Sequence, residues 1–344
     1  MKSVLQTPRR LRRGLIAGVA ALGVAALLAG CSSSGGNTSG NGGAQTPATA
    51  ADPHSPELSE VKITGIAGPG LVPLAVTMDK YASEYGLKIT FVPADNSGVA
   101  VTQVVSGDVA AANTSYFGVI DAINQGLPLE VIAEGWASTP KTGSLEALPS
   151  SGIKELKDLI GKKVNVISLT SSHAIKLRAS MIAAGLDPDQ VSWVELPYAE
   201  VANALQQGTI DASSAVGPTL AALKGLGSVT VFDYGADPYQ GMAESGYVSS
   251  QDFINKYPNT TAAIQCAIFA GQEAVKNDRA LYEQYFQSFL KGSAAAAAAD
   301  VMLDYQTTNR IDALNRNVEV YKESGLLTQD FDYADHTLAA PSNC

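Results

Sequence analysis

From Val61 onward, short runs rich in β-branched residues alternate with stretches of helical periodicity, and that alternation constrains the fold more than any other feature of the chain. Residues 61–66, 87–92, 109–112 and 129–133 read as strands, separated by helices over 71–85, 99–106 and 116–125. A βαβα order of this kind predicts a largely parallel sheet with helices on both faces. Residues 139–152 break the pattern with Pro140, Gly143, Pro149 and Gly152, which marks a crossover between domains. A second α/β series follows, with strands at 163–167, 191–195, 211–215 and 229–232 and helices at 174–184, 199–207 and 218–225. After a strand at 246–249 the chain is helical, over 260–276, 279–290, 294–305 and 312–324. Ile264, Ile268 and Val275 form one apolar stripe, which a C-terminal helical block returning onto the first domain would bury.

The N-terminus carries a different signal. Lys2, Arg9, Arg10, Arg12 and Arg13 precede an uncharged apolar run over 14–29. That run is shorter than the roughly 20 apolar residues a membrane span needs. It ends in Leu28-Ala29-Gly30-Cys31, which resembles the lipobox of bacterial lipoproteins, where a peptidase cuts before a lipid-modified cysteine. The expectation is a signal peptide over 1–30, removed on export, and a palmitate-type lipid anchor on Cys31 at the outer face of the cytoplasmic membrane. An uncleaved signal anchor is the alternative, and the paired arginines leave both general and twin-arginine export open. Residues 31–57 are Ser, Gly, Asn, Thr, Ala and Pro with little apolar bulk, and read as a flexible tether.

The formal net charge is −10, and removal of the basic leader makes the body more acidic still. That excludes nucleic acid and anionic headgroups as electrostatic partners and leaves the lipid as the membrane contact. With Cys31 taken, Cys266 and Cys344 remain in an oxidising compartment, where an even remainder is expected to pair; one buried and one free thiol is the alternative.

In open α/β sheets, ligands bind where strand ends lead into helix N-termini. The loops at those places are Gly68-Pro69-Gly70, Asp95-Asn96-Ser97-Gly98, Asn113-Thr114-Ser115-Tyr116, Thr170-Ser171-Ser172-His173 and Val216-Gly217-Pro218. Four of the five are rich in residues that cap helices and present N–H and O–H donors, a set suited to an anion. Ordinary capping explains any one of them; their agreement is the signal. Trp136, Tyr116, Tyr198 and Tyr239 are placed to wall a cleft, with Trp136 the strongest because it closes a strand just before the crossover. Gly68-Pro69-Gly70 lacks the third glycine of a dinucleotide fingerprint, Pro73 standing in its place. His173 is the one histidine expected in the folded core, and no spacing suits a metal or a nucleophile elbow, so neither metal, cofactor nor catalytic residue is expected.

Three segments carry a resemblance. Residues 170–179 read Thr-Ser-Ser-His-Ala-Ile-Lys-Leu-Arg-Ala and continue to Ala184-Gly185-Leu186; Gln206-Gln207-Gly208-Thr209-Ile210-Asp211-Ala212 follows; and residues 321–327 end the last helix in Gly-Leu-Leu. In these the chain resembles the ABC-transporter solute-binding proteins of the aliphatic sulfonate, nitrate and taurine type, related to the thiamine-precursor binders. The resemblance implies a type II periplasmic-binding-protein fold: two α/β lobes around a cleft, joined by two crossovers. With the pattern above, lobe 1 would take residues 58–138 plus 243–344 and lobe 2 residues 139–242. It further implies a monomer that captures a small, sulfonate-like solute, closes by hinge motion and serves a permease and an ATPase. Ligand contacts would come from Gly68, Pro69, Asn96, Asn113, Thr114, Ser115, Trp136, Thr170, Ser171, Ser172, His173 and Gly217. Where the family commonly has Trp-Glu/Asp-Pro this chain has Val216-Gly217-Pro218, which makes the cleft wall smaller and less acidic there. A pyrimidine-synthesising enzyme of the same fold and a tethered sensor domain are the alternatives.

Overall fold

The computed structural model describes residues 51–344, so the signal peptide, Cys31 and most of the expected tether lie outside the described residues. The first sheet is built from β1 (Glu60–Gly65), β2 (Lys88–Pro93), β3 (Ala111–Ser115), β4 (Leu129–Ala137), β10 (Ala243–Ser250) and β11 (Asp304–Tyr305), in the order β11-β4-β10-β3-β1-β2. The second holds β5 (Gly143–Ala147), β6 (Lys163–Val166), β7 (Ser192–Glu195), β8 (Ala212–Val216) and β9 (Val229–Asp233), in the order β7-β6-β8-β5-β9.

The expected parallel order holds for most strands, and the two central departures share one cause. In the first sheet β1, β2, β3 and β4 run one way, and β10 is inserted antiparallel between β3 and β4. In the second, β6, β7, β8 and β9 run one way, and β5 is inserted antiparallel between β8 and β9. β10 and β5 are each the first strand laid down after the chain has crossed from the other sheet, whereas the short edge strand β11, also antiparallel to β4, follows the C-terminal helices. Pro140, Gly143, Pro149 and Gly152 make the sequence across β5 look like crossover loop; burial on both faces and pairing on both sides make it a strand.

Helices between the strands are α1 (Val72–Val76), α2 (Ser97–Val105), α3 (Tyr116–Asn124), α4 (Ser172–Ala183), α5 (Tyr198–Gln206) and α6 (Gly217–Gly225). The C-terminal block is α7 (Gln251–Lys256), α8 (Pro258–Lys276), α9 (Arg279–Leu290), α10 (Ala294–Ala299) and α11 (Ile311–Glu323). The helix expected over 71–85 is regular only in α1 and continues to Tyr85 through looser and tighter turns.

Alternating side chains sort the first sheet into two cores. Ala112, Val131 and Val248 face α2, α3 and α11, whereas Ala111, Ile132 and Tyr247 face α1 and α8. Ile264, Ile268 and Val275 are all buried, as their spacing requires. The edge of β4 that β11 leaves uncovered is satisfied by side-chain amides: Gln265 Nε2 donates to the Ile132 carbonyl at 2.8 Å, and Gln272 Nε2 to that of Glu134 at 3.1 Å. Cys266 and Cys344 are joined by a disulfide, which fixes the C-terminal tail to α8.

The tether expected through Glu57 ends earlier. The Glu57 carboxylate accepts from the backbone N–H groups of Asn259 and Thr260 at 3.0 and 2.7 Å, capping α8 from a segment some two hundred residues away in the chain. His54 stacks on Tyr85 at 5.2 Å. A side chain recruited over such a sequence distance has no local signature, so a polar segment read as tether.

Candidate functional site

A cavity of about 140 Å³ lies between the two sheets. Five helices start at its wall: Ser97 is the first residue of α2, Ser115 caps α3, Ser171 caps α4, Tyr198 opens α5 and Val216 precedes α6. Each brings the positive end of its peptide dipoles to the same space, worth about 0.3–1 kcal/mol per terminus toward an anion and up to about 2 when partly buried. The geometry follows from the parallel strands, β1 to β4 in one sheet and β6 to β9 in the other, which discharge their loops at one end.

Of the residues singled out from sequence, Gly68, Pro69, Asn113, Thr114, Ser115, Trp136, Ser171, Ser172 and His173 line this cavity, and so does Tyr198. Asn96, Thr170 and Gly217 do not. Asn96 Oδ1 is occupied in capping α2, accepting from Val99 N at 3.0 Å. Thr170 Oγ1 lies 3.3 Å from Ser168 Oγ, within its own loop. Gly217 has φ +47°, and a Cβ there would stand 2.6 Å from Pro69 Cγ, so it serves close approach between the two walls. Tyr116 and Tyr239 are core residues, the latter hydrogen-bonding Ser180 Oγ at 2.7 Å. Trp136 lies over Gly70, where any Cβ would strike the indole ring at 2.1 Å.

Several polar groups on the wall lack protein partners. Asn113 Nδ2, Thr114 Oγ1, Ser115 Oγ and Ser172 Oγ are buried with no hydrogen-bond partner among the described residues, while Asn113 Oδ1 is fixed by Ser245 Oγ at 2.9 Å. An unpaired buried donor costs about 1–3 kcal/mol, so four around one small cavity call for a common acceptor.

Sequence reasoning missed the charges, because it looked only at loops after strands and found them without Arg or Lys. Lys176, one turn into α4, is wholly buried and forms an ion pair with Glu244 of β10. Its ammonium also donates to Ser138 Oγ at 2.6 Å and to the Tyr234 carbonyl at 3.1 Å. Burial pushes the Glu244 carboxyl up, but the Lys176 charge, His173 and the hydrogen bonds from Lys176 and Ser138 outweigh it and hold the group below the usual carboxylate range. Lys176 is itself lowered, by burial, against the pull of Glu244. His173 stacks on Tyr234 with ring centroids 4.2 Å apart, and burial lowers its pKa to about 4, so the ring is neutral near pH 7 and presents one donor and one acceptor. Ser138, Tyr234, Glu244 and Ser245 thus join the wall from the two crossovers. The available hint was the i, i+3 spacing of His173 and Lys176, which puts both on one helix face. Among the described residues no group of three His, Cys, Asp or Glu could hold a metal, and no helix is long and apolar enough to cross a membrane.

Two lobes, each with a reversed crossover strand, closing on a cavity ringed by helix N-termini define the periplasmic-binding-protein fold. Residues 76–280 match the family model described as NMT1/THI5 like, more than half of the chain, and the protein belongs to that family. Among solved structures it is similar to the alkanesulfonate-binding protein of Xanthomonas axonopodis pv. citri bound to MOPS, with a TM-score of 0.70 and 17% identity over 83% of this chain and 100% of that one. The periplasmic aliphatic sulphonate binding protein of Escherichia coli gives 0.64 and 18%, over 81% and 97%. The periplasmic nitrate-binding protein of Synechocystis PCC 6803 gives 0.70 and 14%, over 82% and 85%. At such identities the likeness is one of fold. No curated protein matches this sequence.

Proposed function

We propose that the protein is the extracytoplasmic solute-binding component of an ABC importer, held to the membrane by lipid on Cys31 and delivering a small anionic solute to a permease and ATPase. The observation that carries the reading is the convergence of five helix N-termini and four unpartnered buried donors on one small cavity. That donor set suits an oxyanion head such as a sulfonate or carboxylate. Residues 58–138 with 243–344 on one side, and 139–242 on the other, would move as two bodies, the solute favouring the closed arrangement by its higher affinity for it. The Pro69 to Gly217 approach is the contact such a closure would make.

The test is calorimetry and thermal unfolding of the full chain in detergent against alkanesulfonates, aminosulfonates, nitrate, short carboxylates and pyrimidines. The expected result is saturable binding of an anion-bearing solute with a rise in Tm; no binding across the panel would sink the reading. Anchoring is tested separately by radiolabelled palmitate, which is expected to enter the wild-type chain and not Cys31→Ser.

A further inference from the structure

The polar groups lining the cavity differ in hydrogen-bonding sense. Beside Asn113, Thr114, Ser115 and Ser172 the wall offers donors without partners. At the crossover it offers the reverse. Lys176 has three ammonium hydrogens, and all three are engaged, by Ser138 Oγ, the Tyr234 carbonyl and Glu244 Oε2. Ser138 Oγ donates to the same Oε2. Glu244 Oε1 receives no hydrogen bond from any described residue, and the side chain, 14% exposed, lines the cavity.

The ion pair therefore presents no cation to a solute. Lys176 is wholly buried, with no hydrogen left to give. What reaches the cavity is one carboxylate oxygen, held in place by the bonds to its sibling. Around it stand Tyr234 and His173, stacked on one another, and Tyr198. An all-anionic solute would place an acceptor against that oxygen, where like polarity costs affinity; a solute with an N–H group there would satisfy it.

We propose that Glu244 is a specificity determinant that selects solutes bearing a nitrogen donor, an ammonium or a ring amine, in addition to an acceptor-rich head. This rests on the reading of the cavity as the solute site. Lys176 acts as a positioning residue that orients the carboxylate without touching solute, and Ser138 holds the same oxygen from the cavity wall.

The test measures, on the full chain in detergent, the affinity ratio within matched pairs that exchange a nitrogen donor for a methyl group: 2-aminoethanesulfonate against propanesulfonate, 3-aminopropanoate against butanoate, and 4-aminopyrimidine against 4-methylpyrimidine. In at least one pair the amino member is expected to bind about tenfold tighter or more, as a charge-assisted bond to a desolvated carboxylate warrants. Glu244→Gln is expected to bring that ratio close to one. Because a variant that folds poorly lowers binding of both members alike, the ratio separates recognition from stability. The double variant Lys176→Met/Glu244→Gln, which leaves no buried charge unpaired, must lose the preference as well. Equal binding within every pair, tighter binding of the methyl member, or a preference that survives Glu244→Gln would overturn the role of Glu244 and leave the solute-binding reading standing. No binding by any member would overturn both.

Discussion

Two ion-paired glutamates in this protein, Glu146 fully buried and Glu244 nearly so, are built alike and end differently. Glu146, on β5, accepts from Ser144 Oγ and Thr230 Oγ1 on Oε1, both at 2.7 Å, and from Ser228 Oγ at 2.5 Å and Lys224 Nζ at 2.8 Å on Oε2. Glu244, on β10, has Lys176 and Ser138 on Oε2 and, among the described residues, nothing on Oε1. For both, burial raises the carboxyl pKa and is outweighed, by Lys224 and three hydroxyls in one case and chiefly by the Lys176 charge in the other. Each lies on a strand that enters a sheet backwards after a crossover. A carboxylate with every lone pair filled is part of the scaffold, whereas one with an oxygen left over faces the cavity. Completeness of hydrogen bonding distinguishes them better than charge or burial does.

The largest effect that bears on this contrast is expected from Lys176→Met, which strips the counter-charge from a buried carboxylate and should cost about 3–5 kcal/mol in urea unfolding. Adding Glu244→Gln should recover most of that loss; a single variant as stable as wild type would break the picture of a buried pair. Glu146→Gln is expected to cost about 2–3 kcal/mol, because donors aimed at a carboxylate would meet an amide NH₂. It should leave solute affinity and selectivity unchanged, and any shift in selectivity would erase the distinction between the two glutamates.

His173 gives the pH dependence. Its pKa falls from 6.5 to about 4 on folding, so between those values the unfolded chain binds a proton that the folded one does not. Stability must therefore drop as pH falls through that window, by about 2 kcal/mol after allowance for the ring's partial exposure, and His173→Gln should flatten the profile over pH 4–6.5. The smallest effect concerns Gly217→Ala. Its methyl would meet Pro69 across the cavity mouth, and we expect solute binding weakened about tenfold, or about 1.4 kcal/mol, in calorimetry. The Glu146 cluster, away from that contact, should be unaffected.

How far the sequence reveals this molecule depends on the range of the interaction. The strand and helix order was legible because it rests on local periodicity, and the strand-to-helix loops were legible because capping residues announce themselves. Gly217 was found for the wrong reason: its glycine serves a close approach between walls, which periodicity cannot report. Glu244, Ser138 and Tyr234 were invisible, since they reach the cavity through crossover strands that bring distant segments together. Lys176 hid inside a helix as one more polar residue. β5 was missed because two-sided burial of Glu146 is tolerated only through partners from a distant stretch, residues 224–230.

The place of β10 in the middle of the first sheet also fixes an order of events. As the chain emerges, β5 through β9 arrive as one uninterrupted stretch, and the second sheet is whole once residue 233 has appeared. The first sheet begins earlier and is finished later: β3 and β4 lack the strand that separates them until residues 243–250 follow, and β11 and the tail come later still. The part of the body made first is thus the last to close, and a chain arrested midway would carry one finished half and one with its central seam open.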